Sequence, residues 1–306
     1  CKCRFVTNKM TDIMKTRFFA LAALALALAA CNNDNEILNN DGPVAAKFAA
    51  GIAPATRASG TTWDAGDRIG ITGIGTVYDN VPYILKNGTF EAEGTVIYFQ
   101  STEEVVFRAY YPYSPTGGPF PVTTDADAQE NQPAIDLLFA SGATGSTSSP
   151  DVEFTDKTDK GGEDHSFHHC MSQLTLSFEE GSGVNFDLVK PAGYTLSGLK
   201  LEGSFDTASG TATVGDQAQA KDLTLTLDGA VRSSLILIPQ EANTLPLKVT
   251  YNGQTYYATL TVPEGALQAG NNYTYTVKVR NKGIEVSEAT IAKWNDVDGG
   301  EVGADL

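Results

Sequence analysis

Histidine, methionine and tryptophan are scarce in this chain of 306 residues, at three, three and two copies. Basic side chains are also in deficit, 21 against 37 acidic, for a formal net charge of −16. That balance excludes general binding to a phosphate backbone, which needs a basic footprint, and no nucleic-acid partner is expected. Charged residues reach only 19% against 42% hydrophobic, too few for a disordered polymer. The apolar run Phe18 to Ala30 is thirteen residues long, too short to span a bilayer. No serine sits in a Gly-x-Ser-x-Gly elbow, and the three histidines are clustered at 165, 168 and 169, which leaves a Ser-His-Asp arrangement little to build on. No enzyme activity and no cofactor is therefore expected. What the chain does have is thirty glycines and thirteen prolines, a composition of turns and strands rather than a helical bundle.

The N-terminal region carries a targeting pattern. Met14-Lys15-Thr16-Arg17 is a short positive segment, the apolar run follows, and Cys31 comes directly after it. Residues 1–13 do not fit such a signal, and Met14 is expected to be the true start. Leu28-Ala29-Ala30-Cys31 resembles the bacterial lipobox, which implies that Cys31 becomes the first mature residue and carries lipid. More than one acyl chain is needed for firm anchoring. Residues 1–30 hold five basic side chains and one acidic, so the body is more acidic than the whole chain. Cys170 is then the one cysteine in that body, and no disulfide framework is available. Asn32-Asn33-Asp34-Asn35-Glu36 reads as an acidic tether and resembles the signal that sends some lipoproteins to the outer face of the outer membrane.

Past residue 44 the period is two. Val105 to Tyr111, Leu174 to Phe178, Leu223 to Leu227, Leu235 to Ile238, Leu245 to Tyr251, Thr255 to Val262 and Tyr273 to Val279 alternate, with β-branched and aromatic enrichment. Asp67 to Val77 does the same after one glycine shift. Asn87-Gly88, Asp228-Gly229 and Asn252-Gly253 mark turns, the last a type I′ hairpin. Many short strands at this spacing predict β-sandwiches. Gly142 to Pro150 reads as a flexible stretch before the charged segment Asp156 to Asp164, so the expected organisation is a leader at 1–30, an N-terminal segment at 31–57, one sandwich at 58–165 and another at 166–306.

Two constellations invite a metal. His165, His168, His169 and Cys170 are adjacent, but a strand would offer at most two ligands per face where tetrahedral zinc wants four, and no metal is expected. Asp125-Ala-Asp127-Ala-Gln-Glu130 and Asp296-Val-Asp298-Gly-Gly-Glu301 alternate carboxylates, yet neither completes a twelve-residue calcium loop; both read as solvated acidic loops.

Several strings, in order along the chain, resemble the fimbrillin family of type V pilus lipoproteins. They are Thr56-Arg57-Ala58 with Trp63-Asp64-Ala65-Gly66-Asp67-Arg68-Ile69-Gly70, then Ala109-Tyr110-Tyr111-Pro112-Tyr113, then Phe167-His168-His169-Cys170-Met171-Ser172-Gln173-Leu174. Ile238-Pro239-Gln240, Leu267 to Tyr275 and Ala289 to Trp294 continue the series. The resemblance implies an all-β fold of two transthyretin-like β-sandwich domains in tandem and a structural His169. It also implies a polymer of pilin subunits. An Arg-specific protease would cut between Arg57 and Ala58 and release the strand Lys47 to Ala55, with Phe48 and Ile52, and a neighbour's strand would fill the emptied groove by β-strand addition. The candidate donor is Glu285 to Trp294, with Val286, Ala289, Ile291 and Trp294 as its apolar residues. The alternative is a surface lipoprotein that never polymerises and binds a host or glycan ligand.

Overall fold

Turn chemistry sets the strand spacing from Gly42 onward. The computed structural model describes residues 42–53 and 62–294; Cys31, Arg57, Ala58 and the acidic segment Asp296 to Glu301 lie outside them. Asn252 and Gly253 both take positive φ, 47° and 71°, as a type I′ turn demands. They close Thr244–Tyr251 onto Gln254–Thr261 in unbroken register from Tyr251 opposite Gln254 to Thr244 opposite Thr261. Asn87 and Gly88 do the same between Val81–Lys86 and Thr89–Ala92. Asp228 and Gly229 share that geometry, but the strands they join enter different sheets.

The described residues are all-β apart from the short helix Ala126–Gln129 and three single 3-10 turns. In the first half an eight-stranded sheet runs, in spatial order, Asp151–Phe154, Lys47–Ala50, Thr89–Ala92, Val81–Lys86, Arg68–Gly73, Val105–Tyr111, Leu138–Gly145, His168–His169. Ile69, Ile71, Tyr83, Phe107, Phe154 and Phe167 are among the side chains buried on one face of it. In the second half two sheets face one another. One orders Arg232–Leu237, Ser172–Glu180, Asn271–Arg280 and Gly283–Val286; the other orders Ala220–Thr226, Pro191–Lys200, Thr244–Tyr251 and Gln254–Thr261. Leu174, Leu176, Tyr275 and Val277 from the first meet Leu196, Leu223, Leu247 and Val249 from the second in one core. Strict alternation along Thr244–Tyr251 sends Leu245, Leu247, Val249 and Tyr251 inward.

Gly142 to Pro150 departs from the expected flexible stretch. Leu138–Gly145 is a strand, Asp151–Phe154 another, and Ala143, Ser146 and Val152 are buried. Small residues are selected here by packing: a Cβ on Gly145 would lie 2.6 Å from the Phe99 ring and 2.7 Å from Val152.

A third core draws on both halves, joining Tyr110, Val122, Ile135 and Leu137 to Met171, Phe205, Ile236 and Trp294. Main-chain pairing crosses the junction as well. Pro119–Thr123 pairs antiparallel with Glu202–Asp206, its two prolines on an edge strand where a missing N–H is tolerated. The outer edge of Arg232–Leu237 is covered without a strand. The buried Gln129 carboxamide donates from Nε2 to Ile236 O (2.8 Å) and accepts from Ile236 N (3.0 Å), and Gln132 Nε2 donates to Ser234 O (2.6 Å). Asp125 caps the helix that presents Gln129, accepting from Ala128 N at 3.0 Å. That is the role of the first alternating-carboxylate segment.

Replacing Gln129 by Ala leaves the N–H and C=O of Ile236 unpaired at a buried edge. The expected loss is about 2–4 kcal/mol, read as a lower urea midpoint with an unchanged slope.

Candidate functional site

The strand Lys47–Ala50 occupies a groove built by sequence-distant elements. On one side it runs parallel to Asp151–Phe154, with Lys47 opposite Asp151, Phe48 opposite Val152 and Ala50 opposite Phe154. On the other it meets Thr89–Ala92 through a single residue pair, Phe48 opposite Phe90. Hydrogen bonds outside this ladder complete the fit: Ala46 N to Ile97 O, Lys47 N to Pro150 O and Ala53 N to Phe167 O at 2.9 Å each, and Gly51 N to Phe154 O at 2.8 Å. Alternation buries Ala46 and Phe48 and exposes Lys47 and Ala49.

Phe48 is the anchor. Its ring lies edge-on to Tyr83 (centroids 4.8 Å apart) and Phe107 (5.4 Å) and stacks on Phe154 (6.3 Å). Outside, Lys47 Nζ lies 3.8 Å from Asp151 Oδ1, an exposed pair that adds little energy but marks the register. Trp63 closes the strand's far end, donating from Nε1 to Ala50 O at 2.9 Å and packing edge-on to Phe90, Tyr111 and Phe167.

Ala53 and Thr62 bracket the eight residues that contain Arg57 and Ala58. Beside Thr62 is a cavity of about 220 Å³ lined by Ile52, Trp63, Tyr111 and the carboxylates of Asp64, Asp67 and Asp136. Burial, then the Asp67 carboxylate 3.2 Å from its hydroxyl, push Tyr111 well above the ordinary tyrosine range.

The candidate donor segment is docked on its own chain. Gly283–Val286 and Thr290–Lys293 both pair antiparallel with Asn271–Arg280, one at each end. At the break between them Ser287 Oγ accepts from Thr276 N at 3.0 Å, and Ser287 N donates to Thr276 O at 2.9 Å. Val286 and Ala289 are half-buried against the second core, whereas Ile291 is 41% exposed. Trp294 is fully buried and sets the phase of the segment, with Ala292 and Trp294 inward and Lys293 outward. Its ring stacks on His169 at 4.1 Å and 4°, and the main-chain N–H of Trp294 donates to Gly270 O.

His169 Nδ1 donates to Asp136 Oδ1 at 2.7 Å, and the ring face is covered by Trp294. His165 Nδ1 contacts Ser141 O at 3.0 Å, and His168 Nε2 lies 3.1 Å from Asp164 Oδ2. Burial, helped by Asp136, pushes the Cys170 thiol up to about 12. The sequence reading singled out the donor segment, but missed the partners that hold Phe48, because Tyr83, Phe107 and Phe154 come from three separate strands.

Phe48→Ala is expected to cost about 3–5 kcal/mol in chemical denaturation of the uncleaved chain, since it empties an aromatic slot. Cys170 should resist alkylation by iodoacetamide at pH 8 in the native protein and react on unfolding; rapid native labelling would contradict its burial.

The sequence pattern of the fimbrillin-like family matches residues 56–294. A Bacteroides uniformis protein provisionally named fimbrium subunit Fim1C is 29% identical over 311 residues, covering 94% of this chain and 98% of its own. Two crystal structures provisionally described as cell adhesion proteins share the fold. The one from Bacteroides ovatus has 26% identity and a TM-score of 0.70, over 84% of this chain and 100% of that one. The one from Bacteroides uniformis has 26% identity and a TM-score of 0.66, over 82% and 99%. The family pattern spans most of the sequence, including every string from Thr56 to Trp294 that carried the resemblance, and the chain belongs to the fimbrillin-like family.

Proposed function

We propose that the protein is a pilus subunit or accessory tip component that is exported as a lipoprotein on Cys31, displayed at the outer membrane and assembled by protease-triggered strand exchange. The observation that carries this reading is the docking of Lys47–Ala50: a strand held by main-chain bonds and one aromatic anchor, followed closely by Arg57. Cleavage between Arg57 and Ala58 would leave that strand attached only by non-covalent contacts. Its loss would expose the Phe48 slot and unpaired main-chain groups along Asp151–Phe154, an arrangement that a strand from another subunit repairs. Membership of a family of fimbrial and adhesion proteins supports the same end point.

The two separate cores, one drawn from residues up to Phe167 and the other from Leu174 onward, support a tandem of transthyretin-like sandwiches. The groove belongs to the first. The second holds the candidate donor segment with Val286, Ala289, Ile291 and Trp294, so one chain carries both halves of the exchange. A structural role needs no catalytic residue and no cofactor. Adhesion would then follow from the polymer, with any host or glycan contact on exposed loops.

Arg57→Ala is expected to leave a full-length lipoprotein on the cell surface that forms no SDS-resistant ladder, while the parent protein shows Ala58 as its N-terminus. Ladders from the Arg57→Ala protein would overturn the proposal.

A further inference from the structure

In the second half, Gln254–Thr261, Thr244–Tyr251, Pro191–Lys200 and Ala220–Thr226 lie side by side in one sheet. The residues that alternate with their buried leucines and valines line up in rows across the outer face. One row is Tyr257, Lys248, Thr195 and Thr224, and the next is Thr255, Thr250, Gly193 and Thr226. Thr259 opposite Pro246, then Thr261 opposite Thr244, extend the face along its first two strands. The hydroxyls of Thr195 and Thr224 share a hydrogen bond of 2.9 Å, which fixes the far end of the first row.

Threonine suits any half-exposed strand, so its abundance alone says little. The charge pattern is more specific. Exposed strand faces elsewhere pair a cation with a carboxylate, as Lys86 does with Glu91, Lys47 with Asp151 and Lys278 with Glu179. Neither row here holds a carboxylate, in a chain whose net charge is −16. Asp222, two residues before Thr224, is the acidic residue at the margin of this face. Lys248 belongs to none of the ion pairs of the described residues. Directly opposite it, Tyr257 is 74% exposed. Depletion of charge around an exposed aromatic ring is the composition of an interface. Protein interfaces centre on apolar anchors, however, and no leucine, isoleucine, valine or phenylalanine stands in either row. Hydroxyls take their place.

We propose that this face binds an acidic polysaccharide. One sugar ring stacks on Tyr257, its carboxylate or sulfate group meets Lys248 Nζ, and the threonine hydroxyls of the second row bond to neighbouring rings. A sugar ring presents an apolar C–H face and a belt of hydroxyls, so it needs both an aromatic plane and small hydrogen-bonding groups. The four strands span roughly 14 Å at about 4.8 Å apiece, and the second row lies about 7 Å from the first, a platform for a run of sugars. Lys248 supplies the charge complementarity: an anionic polymer is repelled by an acidic chain and is attracted here by an unopposed ammonium. The inference rests on the adhesive end point proposed above, placing the contact on a sheet face, and is independent of strand exchange.

The test uses the uncleaved full chain, so that strand exchange takes no part. Surface plasmon resonance at low salt reads binding to immobilised chondroitin sulfate, hyaluronan and polygalacturonate, with neutral dextran as the comparison. The parent protein is expected to bind at least one acidic polymer about ten-fold more tightly than dextran. Tyr257→Ala and Lys248→Gln, both at exposed positions, should keep the parent's circular dichroism and weaken that binding about ten-fold or more. Tyr98→Ala, at an exposed tyrosine of the first half, should leave it unchanged. Failure of the parent to bind all three acidic polymers overturns the inference, and so does undiminished binding by Tyr257→Ala. Dextran bound as tightly as the acidic polymers overturns the role of Lys248. Self-association of the uncleaved parent that Tyr257→Ala abolishes makes the face an interface between copies and overturns the polysaccharide. Ladder formation after cleavage is followed in parallel. Ladders from a protein that binds no polysaccharide overturn this inference and leave the pilus reading standing; binding without ladders does the reverse.

Discussion

Main-chain N–H and C=O groups inside a folded chain must find partners, and an edge of a sheet is where they run out. The described residues close their edges by several different devices. Lys47–Ala50 is a strand inserted from a sequence-remote segment. Pro119 and Pro121 lie on an edge strand and remove donors there. Gln129 and Gln132 stand in for a strand along Arg232–Leu237. Gly283–Val286 and Thr290–Lys293 share one long neighbour between them. Removing one such cover leaves main-chain groups unpaired and creates a demand for another.

The two halves are not independent in their packing. His169 follows the charged segment, bonds Asp136 in the first half and stacks on Trp294 from the end of the described chain. Three distant stretches of sequence thus meet at one buried ring pair. The same junction receives Phe205, Met171 and Ile236 from the second half and Tyr110 from the first. Ordering the C-terminal segment therefore depends on both cores being formed.

Much of the fold was legible locally. Seven predicted alternating strands are strands, and the three Asn-Gly or Asp-Gly pairs have the positive φ their chemistry allows. Other strands escaped notice for identifiable reasons. Val81–Lys86 carries a proline at its second position, Leu138–Gly145 is rich in small residues, and Asp151–Phe154 sits beside a Ser-rich turn and a charged run. Their burial is imposed by neighbours, as the space-limited Gly145 shows. The edge cover by Gln129 could not be read from sequence, since its partner Ile236 lies 107 residues away. Ile291 and Trp294, both apolar residues of the candidate donor, lie three residues apart on an extended chain and point to opposite sides, with Trp294 taking the interior.

By itself the sequence determined the β class, the positions of the tight turns, the acidity of the body and the order of a lipobox-like string, an arginine and a strand-rich body. Those are properties of local conformation, period and charge, which adjacent residues settle between themselves. Only the tertiary structure decided that Lys47–Ala50 enters a sheet, that Phe48 is gripped by three aromatic rings, and that the C-terminal segment lies along Asn271–Arg280. Strand pairing is a contest among remote segments for the same hydrogen bonds, and its outcome depends on which of them can also bury a side chain.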